Sequence, residues 1–367
     1  MRLSIHVSDM QKRYTYILIG LMLFLLLADA QAQPVRRGRR GIIVYGSGKQ
    51  TRAVEPFGAT LAQGKQYAEV VNRYRSLLSP DIRVYGMPIP SAIAFYCPEK
   101  ARKWTGDEGK AVAYLLNQLA EGVIPVPIVD TLKAHSNEPI YSRTDHHWAP
   151  LGAYYAAREL ASAAQVPFRD LSSYDTITIR NYVGTMYRFS RVAAVKYAPE
   201  EFVYYKPRDI AYTTTITRYL LGRDGSVVGA KEPEESPFFY DFSDGSSGAY
   251  LTFMHGDSNN TQVRTATKNG RRLLILKDSF GNALPGYLFY SFEEIHVIDS
   301  RYFPDNILDY IQNNQITDVV FCNNIIHASM AKIQENLLRY LEQEGLKEAS
   351  TEEVVEPDEE EMEELEE

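Results

Sequence analysis

Apolar residues along this chain follow two spacings. Over 58–78, Leu61, Tyr67, Val70, Val71, Tyr74, Leu77 and Leu78 recur every three or four positions, which predicts an amphipathic helix. Before it, 41–45 is a short β-prone run ending in the turn Gly46-Ser47-Gly48; after it, 82–85 is a strand broken by Gly86, Pro88 and Pro90. Residues 107–120 return to helical spacing. A strand follows over 124–129, and Pro125 and Pro127 place it at a sheet edge or at the start of a parallel strand. Pro150 opens a helix that runs to about 164.

Between about 172 and 268 the pattern becomes short β-branched and aromatic runs at 176–179, 202–205, 211–221 and 249–254, separated by Gly, Asp and Ser turns. Strands joined without helices predict an antiparallel β insertion. Alternation then resumes: strand 273–276, helix from Ser279, strand 295–298, helix from Pro304, strand 318–321 and a final helix over 328–341. Such alternation predicts an α/β fold, a parallel sheet with helices on both faces. The expected folded unit is one domain over 41–347.

The ends read differently. Lys12 and Arg13, an apolar stretch from Tyr16 to Ala28 and then Ala30-Gln31-Ala32 have the layout of a signal peptide over 1–32, so export to the periplasm or beyond is expected. Extended back to Tyr14, the same stretch could instead serve as an N-terminal membrane anchor. Residues 33–40, with four arginines, read as a flexible basic leader. Of the net charge of −8, residues 348–367 supply twelve acidic side chains and no basic one, and they are expected to be a disordered acidic tail. Without that tail, the first 32 residues and the arginines of the leader, the body is close to neutral, at about −1. No basic face for nucleic acid is indicated. Cys97 and Cys322 are the only cysteines; they could pair in an exported protein or sit among their apolar neighbours as free thiols, and a zinc site built of cysteines is excluded by number.

Two stretches carry candidate chemistry. Ser279 follows the apolar run Leu273-Leu274-Ile275-Leu276 and opens the next helix, where α/β sheets place ligands and where free backbone N–H groups can stabilise an oxyanion. As an alternative, Ser279 only caps that helix. Far earlier, Asp145-His146-His147-Trp148 puts a carboxylate two residues from an imidazole, so that Asp145 can fix the tautomer of His147 and His147 can take the proton of Ser279. Asp145, His146 and His147, with His135, would also suit a metal. Oxyanion or substrate-binding candidates are the Ser279 and Phe280 amides, Asn282, Arg301 and Asn323, each of which could equally be a turn or cap residue. A second serine, in His255-Gly256-Asp257-Ser258, is better explained by a hairpin turn.

The segment Arg143-Thr144-Asp145-His146-His147-Trp148-Ala149-Pro150-Leu151-Gly152-Ala153-Tyr154-Tyr155, taken with Ile275-Leu276-Lys277-Asp278-Ser279-Phe280-Gly281-Asn282-Ala283, resembles the DHHW family of exported bacterial proteins. That family is similar to the SGNH-hydrolase-like domains of alginate O-acetyltransferases. The resemblance implies a three-layer α/β/α, flavodoxin-like fold and a triad at Asp145, His147 and Ser279 that needs no cofactor. It further implies acetyl transfer to an exopolysaccharide or envelope glycan, with a membrane-bound O-acyltransferase as the partner that hands over the acetyl group. Here Asp and His precede Ser, as in the permuted acetyltransferase-like branch. The Gly-x-Asn-Asp motif of SGNH enzymes has no Asn in Tyr85-Gly86-Met87-Pro88, which leaves a catalytically inactive glycan-binding or assembly protein of the same fold as the alternative.

Overall fold

The run Arg272–Lys277 is buried from Leu273 to Lys277, as a strand covered on both faces must be. It belongs to a computed structural model that describes residues 34–345; the expected signal peptide and acidic tail lie outside those residues. In chain order the strands are β1 Arg36–Arg37, β2 Ile43–Tyr45, β3 Arg52–Val54, β4 Arg83–Gly86, β5 Val123–Pro125, β6 Tyr174–Tyr182 and β7 Glu200–Pro207. They continue as β8 Tyr212–Leu221, β9 Val227–Ala230, β10 Glu234–Glu235, β11 Asn259–Thr265, β12 Arg272–Lys277, β13 Glu294–Asp299 and β14 Asp318–Cys322. The longer helices are α1 Leu61–Leu77, α2 Glu108–Leu116, α3 Pro150–Ala164, α4 Ile307–Asn313 and α5 Ala331–Arg339.

The central sheet has the order β10-β8-β11-β13-β12-β14-β4-β5, with β9 against β8. From β13 to β5 every pairing is parallel; β11 and β8 extend the sheet antiparallel beyond β13. Counted from β12 as the first strand, β13-β12-β14-β4-β5 reads 2-1-3-4-5, the strand order of flavodoxin-like sheets with the chain entering at a different point. In that order the connections depart to opposite sides of β12 and β14, so a crevice opens at their carboxyl ends. Ser279 and Asn323 stand there. The apolar side chains Leu273, Leu274, Ile275 and Leu276 are fully buried, each worth about 1.5–3 kcal/mol of transfer free energy, and they hold this rim rigid.

Several expectations are corrected. The leader is not free: Arg36 and Arg37 pair with Val44 and Ile43, and the Arg37 guanidinium lies over Trp104. With β3 these strands make a separate three-stranded sheet, because β2 pairs only with β1 and β3. The β-rich stretch of 172–268 is not one insertion: β6 and β7 form their own hairpin, whereas β8 and β11 complete the main sheet. Residues 249–254, expected as a strand, form a short 3₁₀ turn at Ala249–Thr252. The helix expected from Ser279 is two 3₁₀ turns, Ser279–Ala283 and Pro285–Leu288, because Pro285 lacks the N–H that an α-helix would need and its ring would clash with the preceding turn. The strand expected over 124–129 stops at Pro125 at the sheet edge, where the proline N faces no ladder partner. The final helix, expected over 328–341, is the shorter α5, and a separate one-turn helix, Ile325–Ala328, precedes it. Both cysteines are free thiols, Cys322 fully buried in β14.

Candidate active site

Two local structures bring 145–148 to Ser279. Pro150 starts α3, and Ala149 N–H bonds to Ile140 O, so 141–148 is a closed loop over the sheet rim. Trp148 Nε1 donates to the Phe280 carbonyl at 2.7 Å, which fastens that loop to the turn after β12. Tyr250 donates to the same carbonyl at 3.0 Å, and its ring stacks on His147 with centroids 3.8 Å apart and planes 3° from parallel.

Held in this way, His147 Nε2 lies 2.8 Å from Ser279 Oγ and its Nδ1 lies 2.7 Å from Asp145 Oδ1. Asp145 Oδ1 also accepts the His147 backbone N–H, and Oδ2 accepts the Thr185 N–H at 2.9 Å and its hydroxyl at 3.0 Å. Burial alone would raise the Asp145 carboxyl, but the two neighbouring imidazoles and these hydrogen bonds outweigh it and hold the group far below the usual carboxylate range. Gly184 matters for this contact, since a Cβ there would run into the Asp145 carboxylate and the Tyr182 hydroxyl. All three side chains are nearly buried: Asp145 2%, His147 5% and Ser279 2% exposed. They line a cavity of about 60 Å³ together with Tyr250, Asp257 and Asn282. A proton can pass from Ser279 Oγ to His147 Nε2 in this geometry while Asp145 fixes the ring.

The donor groups of the other expected residues are already engaged. Phe280 packs its ring against His147, but its N–H is committed to Asp278 Oδ1 at 3.1 Å. Asn282 Nδ2 donates to Asp257 Oδ1 at 2.7 Å. Arg301 holds Asp257 Oδ2 at 2.8 Å and Asp299 Oδ1 at 2.8 Å, which makes it a partner of the pocket wall. Asn323 accepts from the Tyr67 hydroxyl and donates to Ser300 Oγ at 2.9 Å over the end of β12, so both of its polar atoms are engaged. On the side of β12 away from β13 its neighbour is β14, and β4 lies one position farther out. The Asn sought after β4 is therefore to be compared with Cys322-Asn323-Asn324, after β14.

His146 points away from Ser279 to Thr185 Oγ1 at 2.6 Å, and burial lowers its pKa to about 3, so it is neutral. Asp145, His146 and His147 do offer ligand atoms within 4.8 Å of one another. However, Asp145 Oδ1 and both His147 nitrogens are tied into the relay, and His146 Nδ1 is held by Thr185, so these donors do not fit a metal. His135 is remote, paired with Glu138 and stacked on Tyr155.

Sequence reasoning missed Asp257, Tyr250, Thr185 and Gly184. Asp257 sits in the Gly256-Asp257-Ser258 turn, as expected for a turn, yet it faces the cavity and joins the buried Lys277 at 2.7 Å to Arg301. The available signal was Lys277 itself: a cation ending an otherwise apolar strand needs buried carboxylates, and Asp257 and Asp299 supply them.

The sequence profile of the family described as DHHW protein matches residues 37–298. A crystal structure of a DHHW family protein from Eubacterium siraeum is 36% identical, with a TM-score of 0.75 over 85% of this chain and 99% of that one. Bacillus cereus PatB1 with a sulfonyl adduct is 18% identical, with a TM-score of 0.62 over 82% of this chain and 98% of that one. The O-acetyltransferase domain of Pseudomonas putida AlgJ is 13% identical, with a TM-score of 0.41 over 84% of this chain and 99% of that one. None of the curated proteins matches this chain.

Proposed function

We infer that this chain, which belongs to the DHHW protein family, is a serine-dependent O-acyltransferase or esterase that handles acetyl groups of an exported glycan. The observation that carries the reading is the unbroken relay from Ser279 Oγ through His147 to Asp145, at 2.8 and 2.7 Å. In it, Ser279 Oγ attacks the acetyl carbonyl as its proton passes to His147 Nε2, and His147 returns that proton to the leaving group. A sugar hydroxyl or water then attacks the acyl-enzyme, gives its proton to His147, and frees Ser279. The Ser279 N–H, first of its turn, is a donor that helical geometry leaves free for the oxyanion. Asp145 orients the ring throughout.

The three-layer α/β/α arrangement, export directed by residues 1–32 and acetyl supply by a membrane-bound O-acyltransferase all belong to this proposal. Among the described residues no helix is long and apolar enough to cross a membrane. Release of p-nitrophenol from p-nitrophenyl acetate tests the chemistry. Ser279→Ala is expected to reduce it to the level of buffer and Asp145→Asn by on the order of 10⁴-fold, through the wrong tautomer of His147. Undiminished release by Ser279→Ala contradicts the proposal. A second reading, a glycan-binding protein without turnover, draws on the engaged donors of Phe280, Asn282 and Asn323. Glycan affinity in a protein that releases no p-nitrophenol would favour it.

A further inference from the structure

Asp145 and Ser279 occupy the two nitrogen edges of His147; its faces are occupied as well. One face lies on the Tyr250 ring, with centroids 3.8 Å apart and planes 3° from parallel, and the other on His146, at 3.7 Å and 37°. Two rings this close to a third cannot share one side of it, so His147 is enclosed between them. Tyr250 is itself held firmly. It belongs to the 3₁₀ turn Ala249–Thr252 and is 6% exposed, and the Phe202 and Phe253 rings meet it nearly at right angles at 6.2 and 5.7 Å. Its hydroxyl donates to the Phe280 carbonyl, the acceptor that Trp148 also uses. Burial raises the phenol well above its ordinary range, so Tyr250 is un-ionised and offers a neutral π face.

Acyl transfer makes His147 a cation twice. It takes the proton of Ser279 Oγ as that oxygen bonds to the acyl carbon and passes it to the leaving group; it then takes the proton of the acceptor oxygen and returns it to Oγ as the carbon–Oγ bond breaks. Each time the charge forms beside a cavity of about 60 Å³, where little water can solvate it. An aromatic face attracts a cation within about 6 Å of its centroid, and more strongly where water is excluded. Other groups also bear on that charge. Asp145 holds the Nδ1 edge, His146 is neutral, and the Tyr182 phenol bonds to Asp145 and is kept un-ionised by burial. Asp257, across the cavity, is joined to Lys277 and Arg301; Asp278 faces His327 Nδ1 at 3.0 Å; and Glu55 acts at longer range. The stacked face belongs to Tyr250. Orientation is its second contribution: once Oγ carries the acyl group it has no hydrogen to share with Nε2, and the flat contact keeps Nε2 in place until the acceptor arrives.

We propose that Tyr250 is a positioning residue of the relay, its ring face holding His147 in line between Asp145 and Ser279 and stabilising the imidazolium in both half-reactions. This role rests on the acyl-transfer reading and adds to it a residue outside the three of the relay.

Two measurements test it. In p-nitrophenyl acetate turnover, Tyr250→Leu is expected to lower kcat/KM roughly 3–30-fold and to move the acid limb of the pH–rate profile to lower pH by about 0.5–1.5 units, because His147 without the π face releases its proton more readily. Tyr250→Phe keeps the face and loses only the bond to Phe280, so its acid limb is expected to stay with that of the parent. A packing role would slow Tyr250→Leu and leave the limb where it was; a limb that does not move in Tyr250→Leu, or that moves as far in Tyr250→Phe, overturns the proposal. If Tyr250→Leu does not fold, trifluorophenylalanine at position 250 keeps the shape of Tyr250→Phe and withdraws charge from the face, and the limb must then move in the same direction. Separately, the ring C–H resonance of His147, followed against pH in Ser279→Ala protein, is expected to have its midpoint displaced to lower pH by Tyr250→Leu and not by Tyr250→Phe. This titration needs no turnover, so it decides the role of Tyr250 even if p-nitrophenol release shows that the chemistry is absent. A midpoint that is the same in both variants overturns the proposal.

Discussion

Glu108 gives the sharpest test of the electrostatics around the rim. It is the first residue of α2, only 2% exposed; Oε1 accepts the Ser91 N–H at 2.6 Å, and Oε2 is buried without a partner. Burial raises its pKa from 4.5 to about 8. The folded protein therefore binds this proton more tightly than the unfolded chain does. The corresponding stability is complete below pH 4.5 and is lost progressively as pH rises from there to about 8. At about 1.4 kcal/mol per unit the full loss is roughly 5 kcal/mol, with about 3 kcal/mol already gone at pH 7. Glu108→Gln mimics the protonated form, keeps an acceptor for Ser91 and does not ionise. In urea unfolding followed by the fluorescence of Trp104 and the buried Trp148, the variant is expected to exceed the parent by no more than about 1 kcal/mol at pH 5 and by roughly 3–5 kcal/mol at pH 8. A stability difference that is the same at both pH values would refute the reasoning, because an uncharged packing effect has no such dependence.

Gly184→Ala drives a methyl group toward the Asp145 carboxylate; the expected cost is about 1–3 kcal/mol of stability and, since the relay is displaced, on the order of 10²-fold in acetyl-ester turnover, read by p-nitrophenol release. Lys277→Met removes the ammonium between the buried Asp257 and Asp299, and a loss of about 3–5 kcal/mol is expected in denaturant unfolding at pH 7. The His327–Asp278 pair has a pH window of its own. Its contribution falls as pH drops through the lowered pKa of Asp278 and again as pH rises through the raised pKa of His327, so Asp278→Asn is expected to flatten the stability profile at both ends.

The sequence disclosed those parts of the fold that single segments determine. The buried run of β12, the capped α1 and the start of α3 at Pro150 each carry their own signal within a few residues. So did Asp145, His147 and Ser279, because a carboxylate two residues from an imidazole and a serine at a strand's end are local patterns. What pairing decides was hidden. Nothing in 212–221 distinguishes a strand of an insertion from one that joins β11 in the main sheet, since hydrogen-bond partners are chosen across some fifty residues of chain. Asp257 looked like turn punctuation, and only Lys277 and Arg301, brought by other strands, turn it into a wall of the cavity. Asn323 follows β14, and its two polar groups are engaged by Tyr67 and Ser300, which no pattern of spacing could show.

The most direct measurement is peptide mapping of the protein quenched during turnover of p-nitrophenyl acetate. An acetyl group, 42 Da for one transfer, is expected on the peptide that contains Ser279, to accumulate when methyl β-D-glucopyranoside is withheld and to be absent in His147→Ala. An acetyl group found only on other residues, or unaffected by the loss of His147, would contradict the assignment of Ser279 as the nucleophile.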